Sequence, residues 1–598
     1  MRREGNIKDT RRFERRRVNV KYIFSNLGRY LRPYAALFVL VFFASLAGTA
    51  LSLVGPRLCG LAIDRIKMDG TTDMSEIWRY AAVLAGVYIL SGALTYLSSL
   101  GMSWVSRCVV KRIRADIFKK LMSLPVSYFD TRQAGDIISV LSYDLDTLGE
   151  SLSNDTMMVL TSAVTIVGSL VMMLVTAPVL VLVFAVTIPL SALFTWWLTK
   201  KVQPLFRRRS SKLGELNGFV EEVIAGHRTT KAYNCEEDMI ARFEVKNRQA
   251  AEAYTVAENY GTISGPSVNF MNNLSLALIS VFGAILFMNG VIPSVGDIAS
   301  FVLYSRKFSG PINEIANVLS EFQSALAAAE RAFRVFEEQS EPADAQGAEE
   351  LTDVRGDVEI EHLSFSYVPG VPVIKDFSLT AHSGDVIAIV GHTGAGKTTI
   401  VNLLMRFYDA QSGTICIDGK DITKVTRASL RRSFTMVLQD TWLFSGSIFQ
   451  NVAYGDPAAT REDVERVCRA AKIHSFVSKL PQGYDTLLTD NAINISKGQK
   501  QLLTIARAML SRSPMLILDE ATSNVDTRTE QHIQQAMENL MRGRTCFVIA
   551  HRLSTIRHAK CIIVMEHGDV VEQGTHEELL ARRGHYYNLY NAQFDSGE

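Results

Sequence analysis

The sequence predicts a membrane α-helical domain of six spans, followed in the same chain by an α/β domain built around a P-loop. Three observations predict it. Long uncharged stretches crowd the residues before Gly296. The pattern Gly391-His392-Thr393-Gly394-Ala395-Gly396-Lys397-Thr398 stands in the second half. Between the two, after Glu337, the composition shifts to Glu, Ala, Ser and Gly with one Pro342, as in a linker.

A chain of 598 residues is too long for one soluble domain. Its 63 Lys and Arg nearly balance 61 Asp and Glu, so net charge gives no reason to expect a nucleic-acid partner. Seven cysteines are scattered, without a CxxC pair or metal spacing, which suits free thiols in a reducing compartment. The first residues are polar and Arg-rich with no apolar core behind them, which argues against a signal peptide. They read as a basic tail attracted to anionic lipid heads.

A membrane helix needs about 20 mainly apolar residues. Ala35 to Gly55 and Ala81 to Ser106 each carry no charge and make one span. Thr156 to Thr199 is uncharged and long enough for two, with Pro178 marking the turn between them. Asn259 to Gly296 holds the fifth, closed by Asn289-Gly290 and Pro293. The sixth, Ile298 to Phe322, carries Arg306, Lys307 and Glu314, so it rests on an even span count and on charges facing water. Two roles stay open for Arg306 and Lys307: lining a polar pathway, or anchoring the helix near an interface.

Lys and Arg crowd Arg107 to Asp155 and Lys200 to Glu258, while the turns at Thr176 to Val179 and Asn289 to Ile292 have none. The positive segments therefore stay in the cytoplasm, with both termini. Apart from Ser151 to Asn154, these segments read as helical extensions reaching beyond the bilayer. Their tips are expected at Pro125 to Asp130 and near Asn234 to Glu237.

In the second half the Gly-rich pattern follows an apolar strand, Asp385 to Val390, and opens a helix. Glycines at 391, 394 and 396 let backbone N–H groups of Thr393, Ala395 and their neighbours approach phosphates. Lys397 neutralises the β- and γ-phosphates, Thr398 offers a hydroxyl to Mg²⁺, and Thr399 extends the cradle. Met515 to Leu518 is an apolar strand ending in Asp519-Glu520. The first acid suits the metal's shell and the second the general base that polarises water.

With these motifs, residues 358 to the C-terminus resemble the nucleotide-binding domain of ABC transporters, and the membrane half is similar to their exporter-type fold. The resemblance implies ATP and Mg²⁺ as cofactors. It implies that Tyr367 stacks on adenine, that Gln439 senses Mg²⁺ and the membrane domain, and that His551 contacts the γ-phosphate. Ser523 to Asp526 matches the loop that communicates between paired sites. The family's signature appears as Ile495-Ser496-Lys497-Gly498-Gln499 in place of Leu-Ser-Gly-Gly-Gln. Ser496, Gly498 and Gln499 are implied to bind a γ-phosphate held by a partner chain, and Lys497 replaces a glycine that permits close approach.

The expected protein is thus one half-transporter of a dimer, with ATP hydrolysis driving export of a drug, lipid or other small amphipathic substrate. An imperfect signature beside an intact P-loop predicts a heterodimer with one degenerate site; a homodimer tolerating Lys497 is the alternative. An ATP-gated channel, a regulatory subunit and a siderophore or peptide transporter are the rival functions. The expected domains are a basic tail and elbow helix at 1–34, a membrane domain at 35–337, a linker at 338–355 and an ATP-binding domain at 356–598. The expected place is a bacterial plasma membrane.

Overall fold

The computed structural model describes residues 20–66, 73–439, 441–488, 495–519, 526–549 and 556–594. The chain divides into two compact units. The first takes the described residues through Met122 and Ala134–Glu338; the second takes Ser123–Gln133 and the described residues from Gln339 onward.

The chain begins with α1 (Val20–Leu31), α2 (Ala35–Ser52), α3 (Val54–Asp64) and α4 (Met74–Leu121). A short α5 (Val126–Asp130) belongs to the second unit. Then come α6 (Ala134–Ser139), α7 (Leu145–Glu150), α8 (Thr156–Thr176), α9 (Pro178–Ala225), α10 (His227–Ala232), α11 (Glu236–Met288) and α12 (Val295–Glu337). Five stretches, centred on α2, α4, α8, α9 and α11, are long and apolar enough to cross a membrane among the described residues. Their outward faces carry exposed Leu40, Ile89, Val175 and Leu182, a surface that lipid would cover. The sixth long helix, α12, is too polar to qualify by hydropathy, as its charges predict.

Chain chemistry sets the breaks. Pro178 stands at the first position of α9, where its missing N–H costs no helical bond. Gly290, with φ 71°, turns the chain after α11. At 1.5 Å per residue, the 48 residues of α4 and of α9 each run roughly 70 Å, more than twice an apolar core of about 30 Å. One expectation is corrected. Ser151 to Asn154 does not interrupt the helical extension: Ser151–Asp155 is a π-helical turn that joins α7 to α8, and Val140–Asp144 is another. Five-residue bonding absorbs the polar run without breaking the rod.

A polar seam joins α12 to the α2–α3 break. Lys307 Nζ donates to Ser52 O at 2.7 Å, Tyr304 Oη to Leu53 O at 2.7 Å, and Ser300 Oγ to Pro56 O at 3.0 Å. Further along, Asp297 pairs with Arg57, and the Gly296 N–H donates to Asp64 Oδ1 at 2.7 Å. Positions 296, 300, 304 and 307 repeat every three or four residues, so they share one face of α12. The backbones nearly touch here: a Cβ on Gly60 would lie 2.0 Å from Ser300 Oγ and 2.3 Å from Gly296 O. Lys307 thus reaches the carbonyl at the α2–α3 break and closes it.

In the second unit, twelve strands are described: β1 (Val358–Phe365), β2 (Ile374–Ala381), β3 (Val386–Gly391), β4 (Ser412–Ile417), β5 (Lys420–Asp421), β6 (Phe434–Val437), β7 (Gly446–Ser447), β8 (Leu487–Leu488), β9 (Met515–Asp519), β10 (Thr545–Ile549), β11 (Cys561–Glu566) and β12 (Asp569–Gly574). A six-stranded sheet runs β12-β11-β3-β10-β9-β6, parallel except at β12, and a four-stranded antiparallel sheet runs β2-β1-β4-β5. The helices that matter below are α13 (Lys397–Leu404) and α14 (Arg427–Arg432). Strand alternation splits the core in two. Ile387, Ile389, Ile517 and Phe547 face a cluster shared with α13 and the antiparallel sheet. Ala388, Val390, Leu516 and Val548 face a second cluster that includes Leu502, Leu503 and Ala506.

Candidate functional site

The loop between β3 and α13 is built by glycine. Gly396 holds φ 103°, and a Cβ there would lie 2.8 Å from Ile374 Cδ1. At Gly391 a Cβ would come within 2.2 Å of Met565 O. These two positions let the loop curl tightly before α13 begins. Lys397, the first residue of α13, turns back into the loop: its Nζ donates to Gly391 O at 2.6 Å and to His392 O at 3.1 Å. Burial holds the Lys397 ammonium below its ordinary range, and the Asp519 carboxylate offsets part of that shift.

Around it lies a cavity of about 480 Å³ lined by Thr393, Gly394, Gly396, Lys397, Thr398, Thr399, Gln439 and Asp519. Parallel pairing of β9 with β6 and β10 carries Asp519 to the same sheet edge as Gln439, two residues beyond β6. The helix N-terminus, the glycine-loop amides and one ammonium make this concavity fit a polyphosphate. Thr398, Gln439 and Asp519 offer a hydroxyl, an amide oxygen and a carboxylate, the hard oxygen donors Mg²⁺ takes together with water.

The other expected residues are placed unevenly. Tyr367 reaches α13: its hydroxyl donates to Thr399 Oγ1 at 3.3 Å and accepts from Asn402 Nδ2 at 3.2 Å. Its ring stands edge-on to Tyr408, 5.0 Å away, a neighbour that the sequence reading did not select. Ser496, Gly498 and Gln499 are outside the cavity lining. There, Ser496 caps the helix Lys497–Leu510: Gln499 N–H donates to Ser496 Oγ at 3.3 Å and Ser496 N–H to Gln499 Oε1 at 3.0 Å. Lys497 is exposed at the first position of that helix. Glu520 and His551, expected as general base and γ-phosphate contact, lie outside the described residues.

Comparison with known proteins decides the family. Residues 38–312 match the model of the ABC transporter transmembrane region, and residues 374–523 match that of the ABC transporter domain. A fatty acid ABC transporter ATP-binding/permease protein of Mycobacterium bovis is 39% identical over 607 aligned positions, covering 95% of this chain and 96% of that protein. The chain is an ABC transporter. An ATP-dependent lipid A-core flippase of Nitrosococcus oceani is 35% identical, covering 96% and 95%. The solved structure of a bacterial Atm1-family ABC exporter with ATP bound shares 28% identity and a TM-score of 0.73, covering 94% of this chain and 98% of that one. The ABC transporter is accordingly an exporter-type half-transporter, a multi-pass membrane protein that binds ATP and couples its hydrolysis to transport.

Proposed function

We propose that this ABC transporter exports a lipid-class amphiphile across a bacterial plasma membrane by alternating access, as one chain of a dimer with unequal ATP sites. The observation that carries the dimer is the separation of Ser496, Gly498 and Gln499 from the cavity that holds Lys397, Thr398 and Asp519. A signature outside its own phosphate cavity is available to a second chain's nucleotide. Lys497 in that signature supports inequality, because a long side chain stands where close backbone approach is needed. The cargo class is supported by relatives whose names refer to fatty acid and lipid A-core.

In this reading the adenine stacks on Tyr367, and the phosphates sit against the loop from Gly391 to Thr399 with Lys397 on the β- and γ-oxygens. Thr398, Gln439 and Asp519 would hold Mg²⁺, which would neutralise phosphate charge. Glu520 accepts the proton of the attacking water and His551 steadies the γ-phosphate. ATP drives the cycle only by binding the closed cassette pair more tightly than the open one. Basic segments keep both termini in the cytoplasm. The linker at 338–355 divides the membrane domain (35–337) from the ATP-binding domain (356–598).

Purification from native membranes through a tag on this chain tests the pairing. A second ABC chain in stoichiometric yield, with ATPase activity stimulated by acyl lipids, is the expected result. A single chain type with full ATPase activity removes the heterodimer, and indifference to every lipid removes the cargo class.

A further inference from the structure

By composition the residues after Glu337 read as a tether, yet the described contacts pin them. Ser123 lies two residues past the end of α4, and Glu341 lies four past the end of α12. The Glu341 N–H donates to Ser123 O at 2.8 Å, and the Ser123 and Ser340 hydroxyls share a hydrogen bond at 3.1 Å. The Glu341 carboxylate receives both Nη groups of Arg431, with Nη1 at 3.1 Å, and Arg427 Nε stands 3.9 Å away. Arg427, its side chain only 8% exposed, also donates from Nη1 to Pro342 O at 2.8 Å and from its backbone N–H to Asp344 Oδ1 at 3.1 Å.

The same two arginines grip the far end of the P-loop helix. Arg431 Nε donates to Met405 O at 3.3 Å and Nη2 to Arg406 O at 3.1 Å, both just beyond α13. Arg427 Nη2 donates to Asp409 Oδ2 at 3.2 Å, and Asp409 accepts from Arg406 Nε at 2.9 Å. Two residues on, Tyr408 Oη donates to Asp130 Oδ2 in α5 at 2.7 Å. The eight residues of α13 form a rod of about 12 Å whose first residue is Lys397. Nucleotide phosphates thus act on one end of a rod whose other end is bonded to the linker and to α5.

A free tether has no use for a buried arginine. Taking Arg427 out of water is costly unless carboxylates and carbonyls surround it, and here they come from the linker and from the loop after α13. We propose that Glu341 and Arg431 are positioning residues for coupled transport: they tie the P-loop helix to the chain crossings at Ser123 and Gln339, so the linker is a strut that carries nucleotide-driven movement into α4 and α12. This goes beyond the cargo and pairing proposed above and rests only on ATP-coupled transport.

The test is hydrogen exchange of the full-length protein in lipid nanodiscs, with and without a non-hydrolysable ATP analogue and Mg²⁺. It is run on wild type, Glu341→Gln and the conservative Glu341→Asp. The strut predicts that Glu341→Gln keeps ATPase turnover near wild type but shrinks the analogue-induced change at the ends of α4 and α12 by about three- to tenfold. Glu341→Asp should recover most of it. An undiminished response in Glu341→Gln overturns the strut, and so does a response lost equally in Glu341→Asp. If Glu341→Gln fails to fold, Arg431→Gln removes the same ion pair from the other side, with Arg431→Lys as its conservative counterpart, and the pair is held to the same two outcomes.

Discussion

Lys307 Nζ donates to the Ser52 carbonyl at 2.7 Å, and Ser52 is the residue whose helical donor would have been the N–H of position 56, where the chain has proline. One α12 side chain thus repairs a bond that the α2–α3 break removes. Lys307→Met should lower stability by about 1 kcal/mol, read as a lower thermal midpoint in detergent. Pro56→Ala restores an N–H donor, so the same substitution made on that background should cost clearly less. Equal losses on both backgrounds would show that the lysine serves some other partner.

Gly60 reports the closeness of the same two helices. A Cβ there meets Ser300 Oγ at 2.0 Å and the Gly296 carbonyl at 2.3 Å, and the latter is backbone that cannot rotate aside. Gly60→Ala is expected to cost about 1–3 kcal/mol. Gly86, with nothing within 4 Å of its Cβ position, supplies the control: Gly86→Ala should be neutral or mildly stabilising. Thermal unfolding of the two variants side by side decides the matter.

Lys397 gives a pH prediction. Burial disfavours its charged form and lowers its pKa below the unfolded value of 10.5, while Asp519 acts in the opposite sense. The folded protein then binds fewer protons than the unfolded chain between the lowered value and 10.5, so this group's contribution to stability rises with pH across that window and is constant below it. ATP phosphates favour the ammonium, so nucleotide binding in the same alkaline window should take up a proton. Calorimetry in buffers of different ionisation enthalpy measures that uptake. Asp519→Asn should enlarge it, and no uptake in either protein would remove Lys397 from phosphate contact.

The general base is tested by charge alone. Glu520→Gln should lower ATP turnover by about 10²- to 10⁴-fold while nucleotide binding persists. Turnover that survives the change would move the base elsewhere and break the proposed assignment.

Much of the second unit was legible because its signals are local. Two glycines with positive φ, a lysine at a helix start and an apolar strand ending in acid each define their geometry within a few residues. Long-range pairing was not legible. Arg306-Lys307 signals charge in a span, but nothing local joins position 52 to position 307. The linker's partners were not legible for the same reason: its composition marks a linker, while Arg427 and Arg431, some ninety residues on, hold it in place. Ser151 to Asn154 misled because polar residues suggest a break, whereas a π turn accepts them within the helix.

The hydrogen-bonded seam between α12 and the α2–α3 break has one more consequence. Pulled apart into water, its carbonyls, its ammonium and its Arg57–Asp297 pair would all find new partners; pulled apart into hydrocarbon, none would. The grip of α12 on the α2–α3 break is therefore firm where water is kept out and loosens wherever water can enter.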